Sequence, residues 1–501
     1  MSPPSRLLHE TTSLCRACKN AVPARVVATA SSEVWLEKTC PEHGDATVRL
    51  STDAAWYERT RAIAARPTAP GRFARPVTLG CPFDCGVCDA HEQRVRLPVV
   101  TITSACNLDC PICYVHNKND GAYHMPRGEF ERILAHLGAE HGELDILNLT
   151  GGEPTLHPEL LAFVDLARAA GVHRVTVCSN GLRLVKDEAF VAALAERGVR
   201  IALSFDTFDP EADVAMQGAR LLDTKLRCLD VLERHGVDTT LIPVMTLGYN
   251  DHEIGRILDL ALSRSNIRHL EVHTITYTGQ SGGSFPRSGR ISMVEVLDRF
   301  AEQTNGLLQR DDWVPSPQAH PLCYQIAYLL LDPSGGPPVP FTRFMPREVL
   351  YDCLGDRLYL EPTRKLEQAL LGAIDHLWTS DGPESERVLG ILKRVLAELF
   401  PRDRELAPGE ALRVSERASK AIYVHSHMDE DTFDTERLAQ CCDSNCYADG
   451  TTVPVCAYNV LYREKEDHFM LRPATWNERR GGATYPPVPA SRGARRLEIL
   501  R

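Results

Sequence analysis

The sequence predicts an α/β protein centred on a partial (β/α)6 barrel, with a small metal-binding module before it and a helical, cysteine-bearing region after it. Three observations predict this. From residue 98 to residue 305 strand-like and helix-like segments alternate with a period of about 30 residues, one βα unit each. Three of the helices end in Gly-Val (Gly171-Val172, Gly198-Val199 and Gly236-Val237); glycine takes the left-handed position after a helix and valine opens the next strand. A cysteine-rich loop follows the first strand, and sites in parallel βα barrels sit at the strands' C-terminal ends.

Composition narrows the class. A chain of 501 residues with 43% hydrophobic and 25% charged residues is ordinary for a globular protein of several domains. A net charge of -11 argues against a general nucleic-acid binder, which needs a basic surface. The 17 cysteines fall mostly in short clusters with ligand-like spacing. The start, Met1 to Arg6, carries no apolar signal region, and no run reaches the ~18 apolar residues of a membrane span. Metal-bound thiolates in a reducing cytoplasm fit better than a disulfide framework; peripheral membrane contact stays open.

The first segment, residues 1–72, carries Cys15-Arg16-Ala17-Cys18 and, after strand-like pieces at Arg25–Ala28 and Val34–Leu36, Cys40-Pro41-Glu42-His43-Gly44. Cys15, Cys18, Cys40 and His43 make a tetrahedral set suited to one zinc or iron ion, with His43 as a plain turn residue the alternative. Residues 73–97 hold Cys81, Cys85 and Cys88 at Cys-x3-Cys-x2-Cys spacing, which reads as an auxiliary iron–sulfur loop whose fourth ligand comes from elsewhere or is absent.

The barrel proper, residues 98–305, opens with a strand at Pro98–Thr103. The same spacing follows in Cys106, Cys110 and Cys113, ended by Tyr114. Three thiols are one short of the four that usually hold an iron–sulfur cluster. The iron left open is where a substrate or cofactor docks, by the logic that separates catalytic from structural zinc. A structural zinc loop or an electron-transfer cluster is the alternative. Phe130, Ile133, Leu134 and Leu137 fall on one helix face. Further strands are expected at Asp145–Thr150, Arg174–Cys178, Arg200–Phe205, Thr239–Met245 and His269–Thr274. A closed eight-unit barrel would need two more units, which the sequence does not display.

Polar residues gather after these strands. Gly151-Gly152-Glu153-Pro154 follows the second; its glycines let backbone approach a ligand with no β-carbon in the way. Ser179 and Asn180 follow the third, Ser204 and Asp206 the fourth, Asn250 and Asp251 the fifth. Asp206 as a turn residue, and Asn250 with Asp251 as helix caps, are the alternatives. Cys178 reads as a core thiol. Glu271 and His273 share one face of the sixth strand: a site if that face points inward, a satisfied core pair otherwise.

Residues 306–471 begin near Cys323 and contain a proline- and glycine-rich loop at Asp332–Pro346, helices near Thr363–Ile374 and Glu386–Leu399, and a last thiol cluster, Cys441, Cys442, Cys446 and Cys456. The helices read as a cap over the barrel or as ordinary packing. Cys323, Cys441, Cys446 and Cys456 are expected to hold a second auxiliary cluster, with Cys442 as a further candidate. The tail, 472–501, is rich in proline, glycine and arginine and is expected to be mobile.

The Cys106/Cys110/Cys113 loop followed by Gly151-Gly152-Glu153-Pro154 resembles the radical SAM superfamily. The full set, with the Cys15/Cys18/Cys40 module (rubredoxin-like), the Cys81 loop, Asp449-Gly450 and Cys456-Ala457-Tyr458-Asn459, resembles the branch that contains archaeal tetraether lipid synthase and dihydro-hydroxymethylpterin methyltransferase-like proteins. The resemblance implies a 4Fe–4S cluster on Cys106, Cys110 and Cys113 whose open iron takes the amino and carboxylate groups of S-adenosylmethionine. It implies cofactor contacts from Tyr114, Gly151, Gly152, Glu153, Pro154, Ser179, Asn180, Ser204 and Asp206, one or two auxiliary 4Fe–4S clusters, one mononuclear iron or zinc, and a ferredoxin, flavodoxin or reductase as electron donor. The implied chemistry is a 5′-deoxyadenosyl radical taking hydrogen from an unactivated C–H bond. The expected outcome is carbon–carbon joining of lipid chains; the alternatives are radical methylation of a pterin or other small ring and a non-catalytic iron–sulfur carrier. A long apolar channel would suit the lipid and a closed polar cup the ring.

Overall fold

The structure, a computed structural model, describes residues 5–71, 77, 79–86, 88–115, 122–142, 144–355, 359–360, 362–379, 382–404 and 406–463. The expectation for 472–501 lies outside the described residues.

The first four strands, β1 (Arg6–Leu14), β2 (Ala21–Ala28), β3 (Val34–Cys40) and β4 (Gly44–Ser51), form an antiparallel sheet in chain order. Its two cysteine-bearing turns close at one end, where Lys19 takes a left-handed conformation behind Cys18. Helix α1 (Ala54–Arg61), capped by Asp53, leads out of it. The sheet docks through a buried cation: Lys38 Nζ donates to the carbonyls of Leu14, Glu430 and Asp431 at 2.8–3.1 Å.

The barrel strands are β5 (Leu97–Thr103), β6 (Leu144–Gly151), β7 (Val172–Ser179), β8 (Arg200–Ser204), β9 (Thr239–Ile242), β10 (Val244–Met245) and β11 (Ile267–Thr274). β5 through β9 and then β11 pair in parallel in chain order, giving the expected six βα units. Outer helices α2 (Arg127–His141), α3 (Leu160–Ala169), α4 (Glu188–Glu196), α5 (Pro210–Gln217), α6 (Leu222–Arg234) and α7 (Ile254–Ser263) lie between them. α2 buries Phe130, Ile133, Leu134 and Leu137, the stripe read from the sequence. Gly171, Gly198 and Gly236 have φ of +84°, +59° and +64°, as the Gly-Val junctions require.

Two features differ from expectation. The fifth strand breaks at Pro243, which has no N–H for the ladder; the freed Val244 N–H goes to Asp206 Oδ1 at 2.8 Å. The sheet also does not stop at six. On one edge β15 (Ser419–His425) adds in parallel beside β11, with β13 (Tyr324–Leu330) antiparallel beyond it, flanked by β12 (Val314–Pro315) and β14 (Val339–Pro340). On the other edge β16 (Asp443–Cys446) adds in parallel beside β5, with β17 (Thr452–Pro454) outside. The two edges meet through side chains: Tyr324 Oη donates to Asp443, and His425 Nε2 lies 3.8 Å from the same carboxylate. The helices Arg364–Trp378 and Pro383–Leu399 pack with β13, not over the barrel mouth, and form a second core with Ile326, Tyr328 and Leu330. No helix among the described residues is long and apolar enough to cross a membrane.

Candidate active site

Period-two alternation decides what faces the barrel interior. Asn148 and Thr150 on β6, Arg174, Thr176 and Cys178 on β7, Arg200 and Ser204 on β8, His269, Glu271 and His273 on β11, Tyr423 and His425 on β15, and Asp443 and Asn445 on β16 all line one cavity of about 360 Å³. The floor is an ion cluster: Glu416 Oε1 accepts from Arg174 Nη2 at 2.5 Å, and Oε2 accepts from Arg200 Nη2 at 2.6 Å. Burial alone would push the Glu416 carboxyl up, but Arg200 and Arg174 hold it well below the usual carboxylate range. Above the floor sit Glu271, Tyr324, His425 and Asp443. At the mouth lies the Cys106 loop.

That loop is gripped from several sides. Gly152 N–H donates to Thr103 O at 2.8 Å and Glu153 N–H to Ala105 O at 2.6 Å. A β-carbon on Gly151 or Gly152 would come inside 3.0 Å of the Thr103 or Ala105 carbonyl oxygen. The glycine pair is therefore needed where backbone meets the cysteine loop, and not only where it would meet a ligand. Ile112 N–H bonds to Met216 O at the end of α5, and Ser281 N–H to Cys113 O beyond β11. Asn180 Nδ2 donates to Asn107 Oδ1 at 2.7 Å.

The polar residues expected to touch a cofactor are largely engaged with one another. Glu153 is 1% exposed. Its Oε1 accepts from Thr155 N–H, Thr155 Oγ1 and Ser179 Oγ, and its Oε2 from Asn180 N–H at 2.7 Å. It fastens the β6 and β7 ends together, which leaves little acceptor capacity for a ligand. Asp206, with its carboxyl pushed up to about 6 by burial, accepts from Val244 N–H and from Gln217 Nε2 at 2.5 Å. Gln217 Oε1 in turn accepts from Cys110 Sγ at 3.2 Å. Ser204 Oγ and the Asn180 carbonyl both accept from Lys225 Nζ. Gln217 and Lys225 escaped the sequence reading because they lie on helices, away from strand ends. Asn250 and Asp251 do not reach the cavity: Asn250 Nδ2 braces the Asp206 and Val244 carbonyls, and Asp251 bonds Gly248 N–H and Arg299. Cys178 lines the cavity and is not a core thiol. Tyr114 lies under the Arg463 guanidinium at 5.4 Å, and Arg463 also covers Tyr458.

Donor spacing separates two kinds of metal site. Among the described residues, two sets have all their ligand atoms within 4.8 Å of one another: Cys15/Cys18/Cys40/His43 and His273/His425/His427. In the first, Cys18 Sγ and Cys40 Sγ are 3.8 Å apart and Cys40 Sγ and His43 Nδ1 3.5 Å. Tetrahedral bonds of about 2.3 Å give donor separations of this size, so the residues fit a single ion. The Cys106/Cys110/Cys113 sulfurs do not form such a set, nor do those of Cys81/Cys85/Cys88. Both are too open for one ion and fit a polynuclear cluster. Cys81, Cys85 and Cys88 line a small void with His91. Burial, and then a neighbouring thiol, push Cys441 and Cys456 upward, Cys456 to about 12; burial and then the Asp443 carboxylate push Cys442 upward. Cys323 accepts from Arg437 Nε at 3.4 Å beside them. Cys446 is apart: its thiol faces the main hydrophobic core, because β16 alternates and Asp443 and Asn445 take the inward positions. This removes Cys446 from the expected ligand set.

A three-thiol loop at the mouth of a parallel βα barrel, clamped by a Gly-Gly pair from the next strand, defines the radical SAM enzymes. Residues 100–261 match the radical SAM superfamily model, so the chain carries a radical SAM domain. Residues 7–52 match the HMPTM N-terminal zinc ribbon domain. The chain is similar to 7,8-dihydro-6-hydroxymethylpterin dimethyltransferase of Methanocaldococcus jannaschii, 26% identical over 501 residues covering 93% of this chain and 96% of that protein. It is also similar to GTP 3′,8-cyclase of Haemophilus influenzae, 29% identical over 33% of this chain and 49% of that protein. Among solved structures, SuiB of Streptococcus suis bound to precursor peptide SuiA aligns with a TM-score of 0.36 at 14% identity, covering 59% of this chain and 68% of that one.

Proposed function

We propose that the chain is a radical C-methyltransferase acting on a pterin or a similar nitrogen heterocycle. The observation that carries this reading is the cavity. Its inward positions set asparagine, threonine, histidine, glutamate and tyrosine among aliphatic residues such as Val99, Ile146, Ala202, Ile242 and Ile326, and an ion cluster floors it. A volume of about 360 Å³ is in the small-molecule range, and the edges offer donors and acceptors to a flat ring. The similarity along nearly the whole chain to a pterin dimethyltransferase supports the same reading. Coupling of hydrocarbon chains, the sequence's first expectation, is less well supported: the similarity along nearly the whole chain is to an enzyme of pterins, and charged groups floor the cavity.

In this reading Cys106, Cys110 and Cys113 hold the 4Fe–4S cluster. When bound and reduced, that cluster supplies one electron to split S-adenosylmethionine into methionine and a 5′-deoxyadenosyl radical. The chain's own residues set the stage. Gly151, Gly152 and Asn180 fix the thiolate loop, Gln217 beside Cys110 holds Asp206 through its Nε2, and Lys225 and Glu153 lock the β6–β8 ends. Glu271, Asn148 and Thr150 orient the substrate ring below the mouth. Cys81, Cys85 and Cys88, and Cys323, Cys441 and Cys456, provide for auxiliary clusters, and a ferredoxin- or flavodoxin-type donor provides electrons.

Anaerobic incubation of reconstituted protein with dithionite, S-adenosylmethionine and a dihydropterin, read by mass spectrometry, tests this. Two S-adenosylmethionines and two electrons from dithionite are consumed for each methyl added. One is split to methionine and 5′-deoxyadenosine, which keeps the hydrogen taken from the ring. The second gives its methyl to the ring carbon and leaves as S-adenosylhomocysteine. The expected products are therefore 5′-deoxyadenosine, S-adenosylhomocysteine and a pterin heavier by a methyl group, and the 5′-deoxyadenosine and the methylated pterin are absent with Cys106→Ala. If 5′-deoxyadenosine forms while every pterin tried is returned unchanged and an added lipid becomes coupled, the reading is wrong.

A further inference from the structure

The cavity wall carries three imidazoles that the radical chemistry does not use. His273 is the last residue but one of β11, His425 ends β15, and His427 follows two residues later; β11 and β15 pair in parallel with His273 opposite His425. The ring centroids of His425 and His427 are 3.8 Å apart, and those of His273 lie 5.3 and 5.1 Å from them. One donor atom from each lies within 4.8 Å of the others. The second observation concerns His425, whose side chain is 6% exposed. Its Nδ1 is buried without a hydrogen-bond partner, Glu271 Oε1 being 3.9 Å away. A buried ring nitrogen with no partner is costly, and three rings crowded together cannot all satisfy each other. A cation among them removes both problems. Glu271 Oε1, 3.1 Å from His273 Nε2, adds the carboxylate that metal-bound histidines commonly use to fix ring orientation.

We propose that His273, His425 and His427, with Glu271 beside them, hold one divalent first-row transition ion, zinc or ferrous iron, on the cavity wall. Imidazole and carboxylate donors suit these ions. Three protein nitrogens leave an open position, and it faces the cavity that the Cys106 loop also lines. The ligand class for that position is a carbonyl oxygen, hydroxyl or ring nitrogen of the substrate. The ion is separate from the zinc ribbon set. It borders the Cys456 thiol, whose sulfur lies 3.9 Å from His427 Nδ1, and a nitrogen- and oxygen-only neighbourhood distinguishes it from a metal held by that thiol cluster. The proposal does not rest on the methylation reading, since metal content is measured without substrate.

Zinc is the probe. Full-length protein with its iron–sulfur clusters reconstituted anaerobically is titrated with zinc, desalted and analysed for metal. Two zinc ions per chain are expected for the wild type and one for His425→Ala/His427→Ala. In the Cys18→Ser/Cys40→Ser protein one remains, and zinc K-edge absorption shows only nitrogen and oxygen neighbours. Glu271→Gln keeps the site but loses zinc to a chelator about 10- to 100-fold more readily. One zinc in the wild type, with no iron beyond that of the clusters, overturns the proposal, as does sulfur or a second metal atom around the ion that survives the Cys18→Ser/Cys40→Ser change. If the histidine variant does not fold, the wild-type stoichiometry and the absorption edge still decide.

Discussion

Gly152 shows how little room the site leaves for a single atom. An added β-carbon would come inside 3.0 Å of the Ala105 carbonyl, which is backbone and has nowhere to go. Cys106 is the next residue, so the strain falls on the loop that holds the thiols. Gly152→Ala is expected to fold, yet to lower 5′-deoxyadenosine formation about 100-fold, the cost of misplacing a reacting centre by roughly an ångström. Gly138→Ala on α2 is the control. Its β-carbon meets nothing within 4 Å, and the change should be neutral or stabilising by up to about 1 kcal/mol. Equal activity in the two variants would show that the clamp does not set the loop. The cysteines and this glycine pair were legible in the sequence because their spacing is short and their chemistry narrow. Glu153 was legible as a position and not as a role, since its four hydrogen-bond donors come from residues 155, 179 and 180.

At the scale of elements, legibility followed chain distance. The six βα units repeat, and each helix stripe and Gly-Val junction announces the next strand. β15 is separated from β11 by more than a hundred residues of strands and helices with their own core. β16 is four residues long and pairs with β5 from the far end of the chain. No local pattern in Ser419–His425 or Asp443–Cys446 says that either completes a barrel. The ribbon's docking was equally hidden, because it rests on Lys38, an ordinary strand residue until its partners at 430 and 431 are seen. Burial pushes Lys38 down to about 8. In the unfolded chain it titrates near 10.4. Between those values the unfolded state holds the extra proton, so docking strengthens as pH rises from 8 towards 10, by up to about 3 kcal/mol. The wild-type urea midpoint followed by Trp35 emission should rise over that range, and the Lys38→Met midpoint should stay level. Parallel slopes for the two proteins would place the titrating group elsewhere.

The whole molecule is a cup closed at one end by charge and open at the other to the cysteine loop. The closure depends on Glu416, which comes from the helix before β15 and reaches Arg174 on β7 and Arg200 on β8. One carboxylate thus ties the late strand to the early ones across the barrel. Removing one partner of a buried ion pair strands the others; Glu416→Ala leaves two buried guanidiniums and is expected to cost about 3–5 kcal/mol. Hydrogen exchange at neutral pH should then accelerate in the amides of β7, β8 and β15 together, because all three lose the same anchor. An apolar floor of similar volume is the contrasting case. Glu416→Leu combined with Arg174→Met and Arg200→Met should restore protection while removing charge from beneath the substrate. If Glu416→Ala exchanges no faster than wild type, the floor does not hold the barrel together, and its two arginines must be explained by what binds above them.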